Sequence, residues 1–195
     1  MKKMIETVVM FCRDCDKETE FYPYWKTRCV ECQKAKQRRF NKANPDSQKA
    51  KNHNRRAYEL ALPDTLKHKE WTSIQARFGG TCAFTESTNV SLEHPIPLCW
   101  GRMGNEVGNV IPMDKSLNMS KGKKNLFDWY EENEHRLDST KVDNVIYYLA
   151  EANRLTVDEY IDFLLWCDDN RRTPEEAEAA TMSCIEEWKA AEGRR

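Results

Sequence analysis

Two Cys-x-x-Cys pairs constrain the fold of this chain more than any other feature of its sequence. Cys12 and Cys15 form the first pair, and Cys29 and Cys32 form the second, with thirteen residues between the pairs. Each pair can offer two thiolates to one ion, and four thiolates complete a tetrahedral structural Zn²⁺ site. Thirteen residues are also enough for a short ribbon. The spacing therefore predicts a zinc ribbon in preference to a redox or disulfide pair.

The remaining cysteines share no metal-ligand spacing, and we expect them to be buried thiols. They are Cys82, Cys99, Cys167 and Cys184. A tetrathiolate zinc site is typical of a reducing compartment. No apolar run reaches the roughly 18 residues that a membrane helix needs, and Glu6 interrupts the N-terminal stretch that begins like a signal peptide. We therefore expect a cytoplasmic protein with no membrane contact.

The formal net charge of −1 hides an asymmetry along the chain. Residues 1–126 carry 23 basic and 14 acidic side chains, whereas residues 127–195 carry 8 basic and 18 acidic ones. Separated charge of this kind indicates that a polyanion binds the first part of the chain only. The acidic remainder is a candidate surface for a protein partner.

A basic segment follows the second cysteine pair and is the predicted phosphate-binding element. Its cations include Lys34, Arg38, Arg39 and Lys42. We expect a helix up to Asn44, a break at the following proline and more helix to about Leu60. Glu31 and Asp46 are the only acids in residues 27–55, so we expect these cations to be unpaired and available to a polyanion. The alternative is a solvated charged helix.

Downstream, the pattern predicts a mixed α+β fold in which helices predominate. We expect a helix over residues 65–78, strands near 81–85 and 90–98, a flexible glycine-rich loop, a returning strand over 109–113 and helix from residue 116. Two capping boxes and three apolar stripes at helical spacing then predict a C-terminal helical bundle. The stripes are Val142, Val145, Ile146 and Leu149; Tyr160, Phe163, Leu164 and Cys167; and Ala177, Ala180, Cys184 and Trp188.

Side chains that can carry chemistry are concentrated in residues 92–125. Glu93 and His94 are adjacent at the end of a predicted strand, and Asn118 lies near the start of a predicted helix. A carboxylate and an amide oxygen are hard ligands suited to Mg²⁺ or Mn²⁺, and an imidazole with an ordinary pKa is a general base at neutral pH. The pattern alone is compatible with a one-metal phosphodiester hydrolase, and also with an accidental Glu–His pair on the surface.

Three sequence blocks in this region resemble the HNH endonucleases of the ββα-metal, or His-Me finger, superfamily, particularly phage and bacterial members. They are Leu92-Glu-His-Pro-Ile-Pro-Leu98, Gly108-Asn-Val-Ile-Pro-Met113 and Leu117-Asn-Met-Ser-Lys-Gly122, followed by Asn125-Leu-Phe-Asp-Trp129. The resemblance covers about a quarter of the chain. It implies a small ββα-metal nuclease domain over residues 63–135, between a zinc ribbon with a basic DNA-binding segment over 1–62 and acidic helices over 136–195.

The same resemblance implies a role for each residue of the site. His94 is the general base that activates water, and Glu93 and Asn118 hold a catalytic Mg²⁺ or Mn²⁺ ion. Asn109 orients the hairpin loop, and Lys121 contacts a phosphate next to the scissile one. The implied partner is double-stranded DNA, cleaved to 5′-phosphate and 3′-hydroxyl ends. The implied location is the cytoplasm of a bacterial host if the protein is phage-encoded.

The chain also departs from the family pattern. Glu93 stands where Asp is commoner, Asn118 stands where many members have His, and no second zinc pair surrounds the motif. The loop over residues 99–108 is atypical, and we expect Arg102 within it to be a surface residue. Two alternatives stay open: a zinc-ribbon DNA-binding protein with a catalytically silent HNH fold, and a phage assembly or packaging accessory protein that docks through its acidic C-terminal helices.

Overall fold

A computed structural model describes residues 7–24, 26–45, 56–57 and 59–193. Within it the chain divides into two compact units, residues 1–49 and 50–195. The fold is mixed α+β with helices predominating and two small antiparallel sheets, as the sequence predicts. The sequence also predicts a division at residue 136, but one hydrophobic core joins side chains from both sides of that position.

The N-terminal unit is a two-stranded ribbon followed by a helix. Strands β1 (Val8–Cys12) and β2 (Lys17–Phe21) are antiparallel, and the chain reverses between them through Asp16, whose φ of 55° is left-handed. Helix α1 (Val30–Ala43) follows. The buried hydrophobic cluster of this unit consists of Cys12, Phe21 and Cys29. A core this small needs an additional cross-link to be stable.

Helix α1 ends where the sequence predicts. Asn44 is its C-cap, and the backbone N–H of Asn44 donates to the Phe40 carbonyl oxygen at 2.9 Å. The proline after Asn44 disfavours continuation of the helix. Residues 46–55 of the predicted basic segment lie outside the described residues. Helical backbone is present again at Arg56 and Ala57.

A strand–strand–helix arrangement forms the centre of the second unit. Its elements, with the helix that precedes them, are α2 (His68–Arg77), β3 (Val90–Glu93), β4 (Ile111–Asp114) and α3 (Lys115–Lys121). The two strands are antiparallel, with Glu93 opposite Ile111. Helix α3 begins without an intervening loop because the Asp114 side chain caps its first turn. The end of β3 and the face of α3 are thereby brought together.

Five further α-helices follow in the described chain. They are α4 (Leu126–Asn133), α5 (Ser139–Asn153), α6 (Val157–Asp169), α7 (Pro174–Ala179) and α8 (Cys184–Ala191). The capping boxes predicted at Thr156 and Thr173 are present, and the apolar stripes of α5 and α6 are buried as predicted. No helix in the described part of the chain is both long enough and apolar enough to cross a membrane.

Some predicted elements are wrong. Residues 81–85 form turns and bends, and the strand expected over residues 90–98 ends at Glu93. Pro95 and Pro97 explain the early end, because proline has no N–H to donate to a strand ladder. The last apolar stripe is interrupted, since Ala180 is exposed at the end of α7.

The glycine-rich loop expected to be flexible is instead part of the interior, since residues 101–105 are all buried. A β-carbon at Gly104 would lie 1.9 Å from the Pro63 carbonyl oxygen, so only glycine allows this close approach. Arg102, expected at the surface, is 8 % exposed and pairs with Glu187 at 2.7 Å. Its burial is possible because this carboxylate compensates the guanidinium charge.

Candidate functional site

The four cysteines of the predicted zinc ribbon lie together in the N-terminal unit. All four sulfur atoms are within 4.8 Å of one another. The sulfurs of Cys12 and Cys32 are 4.0 Å apart, and those of Cys15 and Cys29 are 3.8 Å apart. A tetrahedral Zn²⁺ ion with bonds of about 2.3 Å separates its sulfur ligands by about 3.8 Å. The cluster therefore has the composition and the size to hold one metal ion.

The electrostatics of the cluster also favour a bound cation. Hydrogen bonding to the backbone of Cys29 lowers the pKa of Cys12 to about 6. The Cys29 side chain, and then burial, raise the pKa of Cys32 to about 12. The Cys12 thiolate is thus readily formed, whereas ionisation of the neighbouring Cys32 is unfavourable. A dication would remove that penalty, as it does for any coordinated thiol.

A cleft of about 290 Å³ in the second unit brings together three residues predicted for the catalytic site. Glu93 is the last residue of β3, His94 follows it, and Asn118 lies on α3. All three side chains line the cleft. Their proximity results from the antiparallel strand pair and from the direct passage of β4 into α3.

Lys121 lies in the interior rather than at a surface where DNA could reach it. It is 1 % exposed, and its Nζ donates to Glu93 Oε1 at 2.7 Å and to the His94 carbonyl oxygen at 3.2 Å. Burial raises the pKa of the Glu93 carboxyl above its usual value, and the adjacent ammonium opposes that shift. The structure thus gives Lys121 the role of compensating Glu93, in place of the predicted phosphate contact.

Other side chains supply positive charge to the cleft. Arg56 and Lys123 both line it and are exposed. Lys121 and Lys123 are only two positions apart near the end of a helix, so no local sequence pattern indicates which of them faces the cleft. Cys99 also lines the cleft and is exposed, whereas the sequence predicts a buried thiol there.

The His94 ring is held by a buried amide. His94 is 8 % exposed, and its Nε2 lies 3.1 Å from Oδ1 of the fully buried Asn105. An amide oxygen can only accept a hydrogen bond, so Nε2 carries the proton and Nδ1 is the acceptor nitrogen of the neutral ring. One unprotonated ring nitrogen is what a general base requires.

Asn109 joins two segments of the loop around the site. It is fully buried, and its Oδ1 accepts from the Ile96 backbone N–H at 2.9 Å. Its Nδ2 donates to the carbonyl oxygens of Ile96 at 2.9 Å and Gly104 at 3.1 Å. Asn109 does not line the cleft. These contacts are compatible with the orienting role that the family resemblance implies.

Asn118 is positioned by hydrogen bonds to β3. Its Nδ2 donates to Ser91 Oγ at 3.2 Å and to the Leu92 carbonyl oxygen at 3.1 Å. The amide oxygen is then the atom that Asn118 can offer to a ligand. Together with the Glu93 carboxylate it forms a hard-oxygen donor set on one cleft, which fits Mg²⁺ or Mn²⁺.

The cations of α1 fall into two groups. Lys34 pairs with Glu31 at 3.0 Å, and Arg38 reaches the same carboxylate at 4.0 Å. The expectation that all these cations are unpaired is therefore wrong for Lys34 and Arg38. Arg39 and Lys42 make no ion pair with any other residue that the structure describes. Arg39 also lines a groove of about 650 Å³ beside α1.

Comparison of the chain with family models, curated proteins and solved structures found no match.

Asn105 does not line the cleft, but it contacts His94, and the sequence did not reveal this contact. The residues next to Asn105 in the sequence do not resemble a catalytic motif, and the sequence predicts that the loop containing it is flexible. Its one sequence signal is the pair of flanking glycines at 104 and 108, which require close backbone approach. That signal indicates a packed loop but does not indicate which side chain the loop positions.

Proposed function

We propose that this chain is a metal-dependent endonuclease of the HNH type, which hydrolyses phosphodiester bonds of double-stranded DNA. The observation that carries the proposal is the convergence of Glu93, His94 and Asn118 on one cleft of a strand–strand–helix arrangement. These residues come from two separate blocks of the sequence, and each supplies a different chemical function. The presence of a third polar residue in the same cleft supports a functional site over an accidental Glu–His pair.

His94 acts as the general base of the proposed reaction. Its Nδ1 takes a proton from water, the water oxygen attacks phosphorus, and the bond from phosphorus to the 3′ oxygen breaks. The bond's electron pair stays on the 3′ oxygen, which takes a proton from solvent. The products are a 5′-phosphate and a 3′-hydroxyl. Arg56 and Lys123 are the cleft cations available to bind the flanking phosphates.

Glu93 and Asn118 would hold a divalent cation through the Glu93 carboxylate and Asn118 Oδ1. When bound, such an ion polarises the phosphoryl oxygen and stabilises negative charge on the leaving oxygen. Lys121 already compensates one Glu93 oxygen, so the ammonium and the metal would share this carboxylate.

The N-terminal unit would supply sequence-tolerant DNA affinity. In this proposal the four-cysteine cluster holds Zn²⁺ and stabilises the ribbon, while Arg39 and Lys42 contact the phosphate backbone. The cluster geometry and the two cations without a described carboxylate partner support this assignment. Zinc here is structural and takes no part in the cleavage chemistry.

The test is cleavage of supercoiled plasmid with and without Mg²⁺, comparing the parent protein with His94→Ala. The variant should cleave about 10² to 10⁴ times more slowly, the usual contribution of a positioned acid–base group. Zinc content, circular dichroism and DNA affinity should be unchanged. His135→Ala is the matched control, because His135 is exposed and does not line the cleft. Equal nicking rates for parent and His94→Ala would reject the proposal.

A catalytically silent DNA-binding protein is the second candidate. One observation favours it: the Lys121 ammonium occupies a position beside Glu93 at which it would repel a divalent cation. Mg²⁺- or Mn²⁺-dependent nicking by the parent protein that requires His94 would exclude this candidate. DNA binding without any nicking in either metal would support it.

A further inference from the structure

We propose that Asn105 is a positioning residue that sets the orientation and the tautomer of His94. Its catalytic consequence rests on the proposed nuclease function, whereas its structural consequence can be measured on the protein itself. Asn105 lies outside the three sequence blocks that resemble the family. His94 Nε2 donates a hydrogen bond to Asn105 Oδ1 at 3.1 Å.

Because both side chains are buried, breaking this hydrogen bond is unfavourable. Asn105 is fully buried and His94 is 8 % exposed. A buried ring N–H that loses its acceptor is destabilising, because little water can replace the lost hydrogen bond. Rotation of the imidazole away from Asn105, or transfer of its proton to Nδ1, is therefore disfavoured. The neutral ring is kept with Nδ1 as its proton acceptor.

The backbone of Asn105 is itself held on both sides. Its N–H donates to the Pro63 carbonyl oxygen at 2.8 Å, and its carbonyl oxygen accepts from the Leu66 N–H at 2.9 Å. The segment that precedes α2 thus pairs with the loop at this residue. Such a pair of main-chain bonds restrains the direction in which the Asn105 side chain leaves the backbone.

The preceding residue is restrained as well. The Gly104 carbonyl oxygen accepts from Asn109 Nδ2 at 3.1 Å, and its N–H donates to Glu106 Oε1 at 3.2 Å. A β-carbon on Gly104 would lie 1.9 Å from the Pro63 carbonyl oxygen. The loop is therefore tightly packed, and it holds the Asn105 amide beside His94.

The first experiment is NMR of the parent protein at pH 8, where an ordinary imidazole is neutral. A buried and hydrogen-bonded Nε2–H exchanges slowly enough to give a ring N–H signal, whereas a solvent-exposed one does not. The signal is assigned by its loss in His94→Ala. We expect a slowly exchanging His94 Nε2–H. Absence of that signal from the folded parent protein would overturn the inference without any variant of Asn105.

The second experiment compares Asn105→Asp, which keeps an acceptor oxygen, with Asn105→Leu, which removes it at similar size. Asn105→Leu should lose the protected ring N–H and lower kcat for plasmid nicking at least 10-fold, with KM for DNA little changed. Asn105→Asp should retain the ring signal and most of kcat. Asn133→Leu is the matched control, because Asn133 is a buried amide that does not line the cleft.

The outcomes separate this inference from the proposed function. A parent protein that shows the protected ring N–H but does not nick DNA would overturn the nuclease proposal and support the Asn105–His94 contact. A parent protein that nicks DNA while Asn105→Leu keeps both the ring signal and kcat would overturn the positioning role alone. If Asn105→Leu does not fold, the positioning role is tested by the ring N–H signal of the parent protein. It is also tested by whether Asn105→Asp retains that signal and most of kcat.

Discussion

At the scale of single residues, the pair formed by Glu93 and Lys121 sets the charge of the candidate cleft. The two side chains are buried and their charged atoms are 2.7 Å apart. A buried carboxylate without a partner costs several kcal/mol, because the interior solvates it far less well than water does. The ammonium compensates that cost within the chain.

Removing the ammonium should therefore be strongly destabilising. Lys121→Met should lower the free energy of unfolding by about 3–5 kcal/mol, because it leaves Glu93 buried and unpaired. Urea unfolding at pH 7 measures the effect. Lys124→Met is the matched control, since Lys124 pairs with Glu132 at the surface and such pairs contribute at most about 1 kcal/mol.

The double variant Glu93→Gln/Lys121→Met distinguishes loss of the charge pair from loss of packing by the lysine side chain. It should recover much of the free energy of unfolding that Lys121→Met loses, because a neutral amide is less costly to bury than a carboxylate. Equal losses in Lys121→Met and Lys124→Met would show that the Glu93–Lys121 pair is not buried in solution.

At the scale of elements, Asp114 ties the start of α3 to the segment before β3. Its Oδ1 accepts from the Ser116 N–H at 2.8 Å, and its Oδ2 accepts from Ser87 Oγ at 2.7 Å. Hydrogen bonds from the hydroxyls of Ser116 and Ser87, in that order, lower the pKa of Asp114 to about 2. The ionised carboxylate thus helps to position the helix that carries Asn118.

The pH dependence follows from this lowered pKa. The unfolded carboxyl has a pKa near 3.9, so the charged form stabilises the fold above about pH 4 and loses that effect as the pH falls through about 2. Asp114→Ala should lower stability at pH 7 by about 1 kcal/mol through the lost cap. The difference from the parent should shrink as the pH approaches 2.

Thermal unfolding at pH 7, 4, 3 and 2 checks this expectation. Asp138→Ala is the control, since Asp138 caps α5 with a similar pair of bonds to Thr140. It should show a weaker pH dependence than Asp114→Ala, because no bond equivalent to that from Ser87 is described for Asp138. A stability difference for Asp114→Ala that is the same at pH 2 and pH 7 would contradict the role of the charge.

Helix α1 gives a second prediction at this scale. The double variant Arg39→Ala/Lys42→Ala should weaken binding to all DNA sequences alike. It should also reduce the slope of log affinity against log salt by about 1.8, or about 0.9 for each lost phosphate contact. Fluorescence anisotropy over a salt series measures both quantities. Lys34→Ala should change the slope less, because Lys34 is paired with Glu31. An unchanged slope in the double variant would place the DNA elsewhere.

At the scale of the whole molecule, the two units differ in what holds them together. The N-terminal unit has a buried cluster of three residues, whereas the second unit contains an extended apolar core that includes Trp100, Trp129 and Trp188. A structural Zn²⁺ site contributes on the order of 10 kcal/mol to folding. The first unit should depend on its metal, and the second should not.

Chelation should therefore unfold one unit selectively. A strong zinc chelator, or Cys29→Ser, should abolish the dispersed NMR amide signals of residues 7–45 and leave those of residues 59–193 in place. Metal analysis should find about one zinc ion per chain before chelation. Loss of both sets of signals together would contradict independent stability of the second unit, and absence of zinc from unchelated protein would contradict the metal assignment.

Features that depend on neighbours in the sequence were predictable. The spacing of Cys12, Cys15, Cys29 and Cys32 indicates a four-sulfur cluster because a metal imposes its own ligand geometry. The capping boxes at Thr156 and Thr173, and the apolar periodicity of α5 and α6, indicate helices because side chains three or four positions apart share one face. The sequence also placed Asn118 on a helix, whereas the strand predicted over residues 90–98 ends at Glu93.

Several features of the second unit could be identified only from the tertiary structure. The partner of Lys121, the burial of Arg102 and the acceptor beside His94 all depend on segments that are far apart along the chain. No local pattern distinguishes a lysine that faces DNA from one that neutralises a buried carboxylate, because both lie on the same short helix. Whether a polar side chain becomes a ligand, a support or a counter-charge was decided by the packing that surrounds it.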